Sequence, residues 1–516
     1  MSLFTLMAFG VLCAGLYYVC PLKLRWLLLL AVSYAFYAYH GLSALPYILL
    51  TTLSTWAGAL MIGRIAQKSK ARLREEKATL DAAAKKQIKA RAKTRQRVLF
   101  WAVLLVNFGV LAVIKYSDAV LSLFSAPSPG FLLPLGISFY TFQSMGYLID
   151  VYNGKYAPEQ NPVKFALFVS FFPQLIQGPI GRYDQLAPQL VKPHRFDLDA
   201  IERGALLMIW GFFKKKVIAD RALPLVEEVF ANQGAYGGAV IAVGVLFYSL
   251  QQYCDFSGGI DLVAGIAELF GIHLAPNFKR PYFSVSLGDF WRRWHISLGS
   301  WMRDYVFYPF ALTRPMSRVS KALKKHAGAD IARAFPAALG NILVFLLVGI
   351  WHGATANYVL WGLYNGVILA VSALLEPYYK RFGEKHHTKS RGFHLFRVLR
   401  TFLIVNIGWY FDRCTRAADA FAMLGKTFLD PRLPQLSDGT LARLCLETRD
   451  FHILFIATLI LFFVSLAQER GVRIRDWLMG RTLAVRWALL LCFFLFVIAT
   501  FEGAGGTNSG FLYAVF

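Results

Sequence analysis

From Asn341 to Val367 the chain reads NILVFLLVGIWHGATANYVLWGLYNGV, an apolar run long enough to enter a bilayer, with one ionisable group, His352, near its centre. Trp351 precedes that histidine and Gly353 follows it. About 20 apolar residues cross a hydrocarbon core, and an ionisable side chain held at that depth marks a functional site by default. The competing role is a neutral packing histidine bonded to a neighbour. A second histidine in an equally aromatic block, DFWRRWHISLG at 289–299, sharpens the functional reading.

Only 16% of the 516 residues are charged and 57% are hydrophobic, whereas soluble domains are about a quarter charged. Several segments run close to bilayer length with few charges, so the expected class is an all-α polytopic membrane protein. A net charge of +25 would suggest nucleic acid in a soluble chain. Here Lys and Arg cluster between apolar spans, as the positive-inside rule requires, and nucleic acid drops out as a partner. The cysteines (Cys13, Cys20, Cys254, Cys414, Cys445, Cys492) show neither metal-type spacing nor a disulfide framework. Residues 3–20 are apolar, and the positive charges Lys23 and Arg25 follow them, which predicts an uncleaved first helix with its N-terminus outside.

Spans are expected at about 3–20, 23–40 and 43–64. Residues 66–97 then turn rich in Ala, Lys and Arg, opposed only by Glu75, Glu76 and Asp81. They predict a cytoplasmic helix drawn to an anionic leaflet by about 1 kcal/mol per cation, a positive-inside connector rather than a partner-docking arm. A span at 98–115 and the turn-rich loop 126–134 lead to a span at 131–152, whose Ser138, Thr141, Gln143 and Ser144 suit helix–helix adhesion and which ends in Asp150. In 163–190 the apolar run breaks at Pro173, Gln174, Gln177, Gly178 and Pro179. Broken backbone survives at membrane depth only under protein or beside a water-filled cavity, so a re-entrant or interfacial segment lining a central cavity is expected there. Residues 201–223, with Lys214, Lys215 and Lys216, are expected at the cytoplasmic interface; Asp255 and Asp261, after a span at 238–253, should face the bundle interior. Further spans fall at 336–352, 357–375, 399–411, 452–467 and 484–502. The chain divides into N-terminal helices at 1–125, a core at 126–415 and C-terminal helices at 416–516.

Placing Arg292 or Arg293 at a helix centre would cost about 2.5–3.5 kcal/mol each, with only Asp289 and Asp304 nearby to offset it. The block 289–304 therefore belongs either at an interface, with Trp291, Trp294 and Trp301 at headgroup level, or against a protein-lined cytoplasmic vestibule. In the vestibule the arginines would meet an anionic donor such as a nucleotide phosphate or phosphopantetheine, to which the planar guanidinium fork is suited. His295 and His352 are the candidate catalytic histidines. His194, His326, His386, His387 and His394 lie in basic connectors and read as solvated, while His40, His273 and His452 sit near span ends and read as structural. HExxH, CxxC, GxSxG and GxxxxGK[ST] patterns are absent, which removes metalloprotease, zinc, serine-hydrolase and ATPase classes. An enclosed histidine, whose ordinary pKa lies near neutrality, is then best placed to act as general base.

FFPQLIQGPIGRY (171–183), the block from YCDFSGGIDLVAG to SWMRDYVFYP (253–309) and GIWHGATANYVLWGLYNG (349–366) resemble the membrane-bound O-acyltransferase (MBOAT) superfamily, and within it the bacterial alginate O-acetyltransferases. LPLGISFYTFQSMGYLIDVY (133–152) and the terminal FLYAVF (511–516) look like the same branch. The resemblance implies an MBOAT fold of about 11–13 transmembrane helices, plus re-entrant and interfacial helices, around a central funnel. It places the family's catalytic histidine on His352 and its second motif histidine on His295. It implies transfer of an acyl group from a cytoplasmic thioester, acetyl-CoA or an acyl carrier, to a hydroxyl, with no tightly bound cofactor and no metal. In the alginate branch it implies hand-over of acetyl to periplasmic SGNH-type partner proteins that modify an exopolysaccharide, from an enzyme in the bacterial inner membrane. The candidate donor- and substrate-binding residues are Asp289, Arg292, Arg293, Trp351, Gln174, Arg182, Tyr253 and Asp255. The basic arm at 66–97 departs from the pattern. The alternative functions are D-alanyl transfer to teichoic acid and transport of a polysaccharide or lipid-linked sugar; the lack of internal duplication speaks against transport.

Overall fold

The computed structural model describes residues 3–131, 133–385, 390–444 and 446–501, and among these there are helices and turns but no strand. FLYAVF, His386, His387 and Cys445 lie outside the described residues. Helices α1 (Leu3–Val19) and α2 (Arg25–His40) form a hairpin, closed by the Arg25 guanidinium donating to the carbonyls of Tyr18 at 2.9 Å and Cys20 at 3.0 Å.

The next pair, α3 (Leu45–Glu75) and α4 (Ala82–Ser122), is longer than a bilayer requires. This corrects the expectation of a separate helix at 66–97. The basic arm is the two ends of α3 and α4, which run on past their apolar stretches and turn at 76–81. Ala, Lys, Arg and Gln sustain helix without interruption, Asp81 caps α4 by accepting from Ala84 N at 2.6 Å, and the Lys93 ammonium lies 3.7 Å over the ring of Tyr152.

Helix α5 (Ile137–Tyr152) carries its polar stripe into the core. The broken stretch follows as α6 (Pro162–Ser170), α7 (Phe172–Gln177) and α8 (Tyr183–Val191), with α7 buried throughout. Its interrupted backbone is satisfied from neighbours. Phe172 N donates to Ser33 Oγ at 3.1 Å, Gln143 Nε2 to the Phe168 carbonyl, and Gln174 Nε2 to the Pro179 carbonyl at 2.7 Å. The broken backbone is covered by protein, but no residue of 163–190 lines the cavity that holds His295 and His352, which corrects the expectation that this stretch lines a central cavity.

Helix α9 (Leu198–Phe212), a π-helical turn (Phe213–Ala219) and α10 (Asp220–Ala231) make one rod. It packs against α11 (Gly238–Glu268), the most buried of the long apolar helices. Gly211 and Gly258 face each other there; a Cβ on either would press into the other's carbonyl. The interfacial placement of 201–223 is thereby corrected. Lys214 and Lys215 are buried, because α11 presents carboxylates to them. Lys215 pairs with Asp255 and, at 2.9 Å, with Asp220, while Lys214 reaches Asp261 at 2.8 Å and Ser257 at 2.9 Å.

Beyond α11 come the short α12 (Leu287–Arg293), α13 (Ile296–Met302) and α14 (Tyr308–Ala311), then α15 (Arg314–His352), α16 (Ala356–Lys385) and α17 (Arg391–Arg413). The chain finishes with α18 (Ala417–Leu429), α19 (Thr448–Glu469), α20 (Ile474–Met479) and α21 (Leu483–Phe501). Among the described residues seven helices, α3, α4, α11, α15, α16, α19 and α21, are long and apolar enough to cross a membrane. The expectation of about 11–13 crossings counts shorter rods such as α1 and α2 with them. The protein is a multi-pass, all-α membrane protein.

Helices α15 and α16 are a hairpin whose backbones touch. A Cβ on Gly349 would collide with the Tyr358 carbonyl, and one on Gly362 with the Phe345 carbonyl. Small residues at such crossings let helices approach closely. Gly349→Ala is expected to cost about 1–3 kcal/mol, read as a lower midpoint in thermal unfolding of the detergent-solubilised protein. Gly15→Ala, in open space on α1, should leave the midpoint unchanged.

Candidate active site

His352 is the last residue of α15, 7% exposed and about 24 Å along the helix from Pro336. The three-residue turn 353–355 follows it, so the apolar run 341–367 comprises two helix ends and the turn between them. Two side chains from α4 hold this helix end. Lys115 Nζ donates to the Trp351 carbonyl, and Tyr116 OH donates to the Ile350 carbonyl at 2.7 Å. A cation at a helix C-terminus answers both the unpaired carbonyls and the negative end of the dipole. The imidazole is bounded by Trp361 (ring centroids 5.1 Å apart), Tyr358 (5.9 Å) and Trp351 (4.9 Å).

His295 occupies the break between α12 and α13, with φ +46°. Left-handed backbone at a non-glycine costs about 1–3 kcal/mol and persists where surrounding structure enforces it. Asn277 does the enforcing. Its backbone carbonyl accepts from Ile296 N at 3.0 Å, and its Oδ1 accepts from Ser297 N and Ser297 Oγ, both at 2.9 Å. The same Oδ1 faces His295 Nδ1 at 3.4 Å; a carboxamide oxygen only accepts, so in that contact Nδ1 is the donor. Phe256 packs edge-on against the ring at 4.9 Å.

Both histidines line one cavity of about 540 Å³ between α12, α13 and the α15–α16 hairpin. The same cavity is lined by Arg292, Arg303 and Asn341. Asn341 lies about 16 Å below His352 on α15, toward the basic start of that helix. Lys115, far from the basic start of α4, meets the far end of α15. Helix α15 bends at Gly328 (φ +84°), and its basic first part turns back so that Ser320 Oγ donates to the Ala332 carbonyl at 2.6 Å, at the end remote from His352. That part and the basic start of α4 therefore share a face of the molecule, and the cavity extends from Asn341, on the side of that face, to His352.

The remaining sequence candidates separate. Arg292 lines the cavity with its side chain 71% exposed, 3.4 Å from Asp289, and Arg303 lines it 2.9 Å from Asp304. Arg293 does not line it; it pairs with Asp289 at 3.2 Å and with Glu469 at 2.9 Å. Trp351 packs behind the cavity against Phe139, Phe142 and His295. Gln174 bonds to Gln143 in the core, Arg182 pairs with Asp304 at 2.7 Å, and Asp255 pairs with Lys215; Tyr253 is the wall of a different cavity. Trp294 and Trp301 are buried in protein, which corrects their placement at headgroup level. His194, read as solvated, is half-buried, with Nε2 2.8 Å from the Gln189 carbonyl. Asn277, Lys115, Arg303 and Asn341 escaped the sequence reading. A lone lysine in the apolar run of α4 was the one available signal among them.

A profile for the MBOAT, membrane-bound O-acyltransferase family, matches residues 159–324, the stretch from the broken helices to the first turns of α15. The "Probable alginate O-acetylase" of Pseudomonas syringae pv. tomato is 33% identical over 466 residues, covering 88% of this chain and 78% of that protein. The chain belongs to the membrane-bound O-acyltransferase family. A protein of the same name from Azotobacter vinelandii is 32% identical over 465 residues, covering 88% and 81% of the two chains. The "Peptidoglycan O-acetyltransferase" of Helicobacter pylori is 31% identical over 353 residues, covering 62% of this chain and 63% of that one. The protein is thus an O-acyltransferase; the family profile covers His295 and ends before His352.

Proposed function

We propose that the protein moves an acetyl group from a thioester donor on the cytoplasmic side to a hydroxyl acceptor, for O-acetylation of an exopolysaccharide or other cell-envelope polymer. The observation that carries this reading is the single cavity joining Arg292 and Arg303 on the basic face to both histidines. By the positive-inside rule that face is cytoplasmic, where acetyl-CoA or an acyl carrier is the donor. Two relatives, a probable alginate O-acetylase and a peptidoglycan O-acetyltransferase, support the choice of an acetyl group and of this polymer class.

In this reading Arg292 and Arg303 hold donor phosphate at the mouth, and the thioester extends along the aromatic walls toward His352. His352 takes the acceptor's hydroxyl proton as its oxygen attacks the acetyl carbonyl. The C–O ester bond forms, the C–S bond breaks, and the thiolate leaves to collect a proton, near His295. The hydroxyl arrives from the far side, in the bacterial inner membrane by way of periplasmic SGNH-type partners.

The purified protein with a labelled acetyl thioester tests this directly. Release or transfer of label supports the reading, and an inert thioester sinks it. Charge removal at the mouth, as Arg292→Gln with Arg303→Gln, is expected to raise the donor KM about tenfold, the worth of one hydrogen bond to a charged group. kcat should change little, because neither arginine reaches the reacting atoms.

A further inference from the structure

A second cavity of about 390 Å³ lies between the α9 rod, α11, α19, α20 and α21. Trp210, Ile460, Val464, Leu489 and Phe493 give it apolar walls, and Lys279, Arg280, Arg475 and the Lys214–Asp261 pair, 2.8 Å apart, also line it. Arg280 is answered by Glu469 at 2.6 Å and Arg475 by Glu268 at 2.7 Å. Lys279 is exposed, and among the described residues no carboxylate pairs with it. Helix α21, which forms one wall, is apolar and the least buried of the seven long helices; in a bilayer that wall adjoins lipid.

We propose that this cavity binds one anionic glycerophospholipid. Its phosphodiester sits at Lys279 beside Arg280 and Arg475, and an acyl chain lies between α19 and α21. The argument is charge and shape. One uncompensated cation in an apolar-walled slot matches one singly charged head on an apolar tail, and cations are drawn to anionic lipid.

The site also touches the catalytic segment. Lys279 and Arg280 continue directly from Asn277, which holds His295 in its left-handed turn, and Lys279 N bonds to the Arg293 carbonyl at 2.9 Å. Phe278 lines the second cavity and packs at 5.0 Å on Trp294, which lines the first. A bound lipid therefore braces the stretch 277–280 and through it His295.

The test is lipid retention by the purified full chain, in native mass spectrometry and by titration with phosphatidylglycerol or phosphatidylcholine of matched acyl chains. The expected result is selective retention of phosphatidylglycerol, weakened about tenfold by Lys279→Glu and reduced by Leu489→Trp, which puts a larger side chain on an apolar wall of the cavity. Thermal unfolding of both variants confirms that they are folded; a variant that does not fold is replaced by Lys279→Gln, for which the same direction is expected. Equal retention of the two lipids overturns the proposal, as does equal phosphatidylglycerol affinity of the wild-type and Lys279 variants. Displacement by inorganic phosphate as effective as by the lipid would show a headgroup-only anion site and also overturn it. No donor or acceptor is present in this measurement, so its outcome is separate from that of the acyl-transfer reading.

Discussion

His352→Ala is expected to abolish acyl transfer while the amount and size-exclusion profile of the folded protein stay unchanged. Loss of a positioned general base typically costs about 10²–10⁴ in rate. The structural cost should be small for an identifiable reason: the imidazole lines an existing cavity, and the end of α15 is held through the backbone carbonyls of Ile350 and Trp351 by Tyr116 and Lys115. Those bonds survive removal of the side chain. Transfer of label from an acetyl thioester, measured beside the chromatographic profile, separates chemistry from folding. Transfer at the wild-type rate would remove His352 from the reaction. Lys115→Met should behave differently, loosening the end of α15 and lowering both the unfolding midpoint and the rate.

Lys215→Met is expected to be the most damaging single change to stability. Lys215 and Asp255 are nearly inaccessible, with side chains 2% and 1% exposed. Breaking such a pair leaves a buried carboxylate uncompensated, at a cost of about 3–5 kcal/mol, whereas replacing both partners with apolar groups is often neutral. The yield of monodisperse protein should therefore collapse in Lys215→Met and recover substantially in Lys215→Met/Asp255→Leu. Asp220 keeps Lys216, 2.7 Å away, in the double variant. Recovery of yield together with transfer activity would assign Asp255 to architecture. Recovery of yield without activity would return it to the substrate path.

Much of the fold was legible from local pattern. The ends of α1 and α2, the break at 171–182 and the hairpin around residues 353–355 follow from hydropathy and from where proline and glycine fall, because a bilayer forces each span to satisfy its own backbone. The basic arm differs from the sequence expectation for an equally local reason. Composition marks where the apolar stretch stops, but Ala, Lys and Arg do not stop a helix, so α3 and α4 simply continue. The two arginines of 292–293 are identical as sequence and opposite in the molecule, one facing the cavity and one spent on Glu469.

Local order along the chain decided that this is a bundle of apolar helices with histidines in two aromatic motifs, since hydropathy, charge and helix breakers act over a few turns. Only the tertiary structure decided that those histidines share one cavity, that Asn277 and Lys115 secure them, and that a run of lysines lies inside rather than at a surface. Each of these depends on partners between about 18 and 240 positions away. Whether such groups meet is set by how helices cross, and a side chain's charge is worth different amounts in water and between two buried helices.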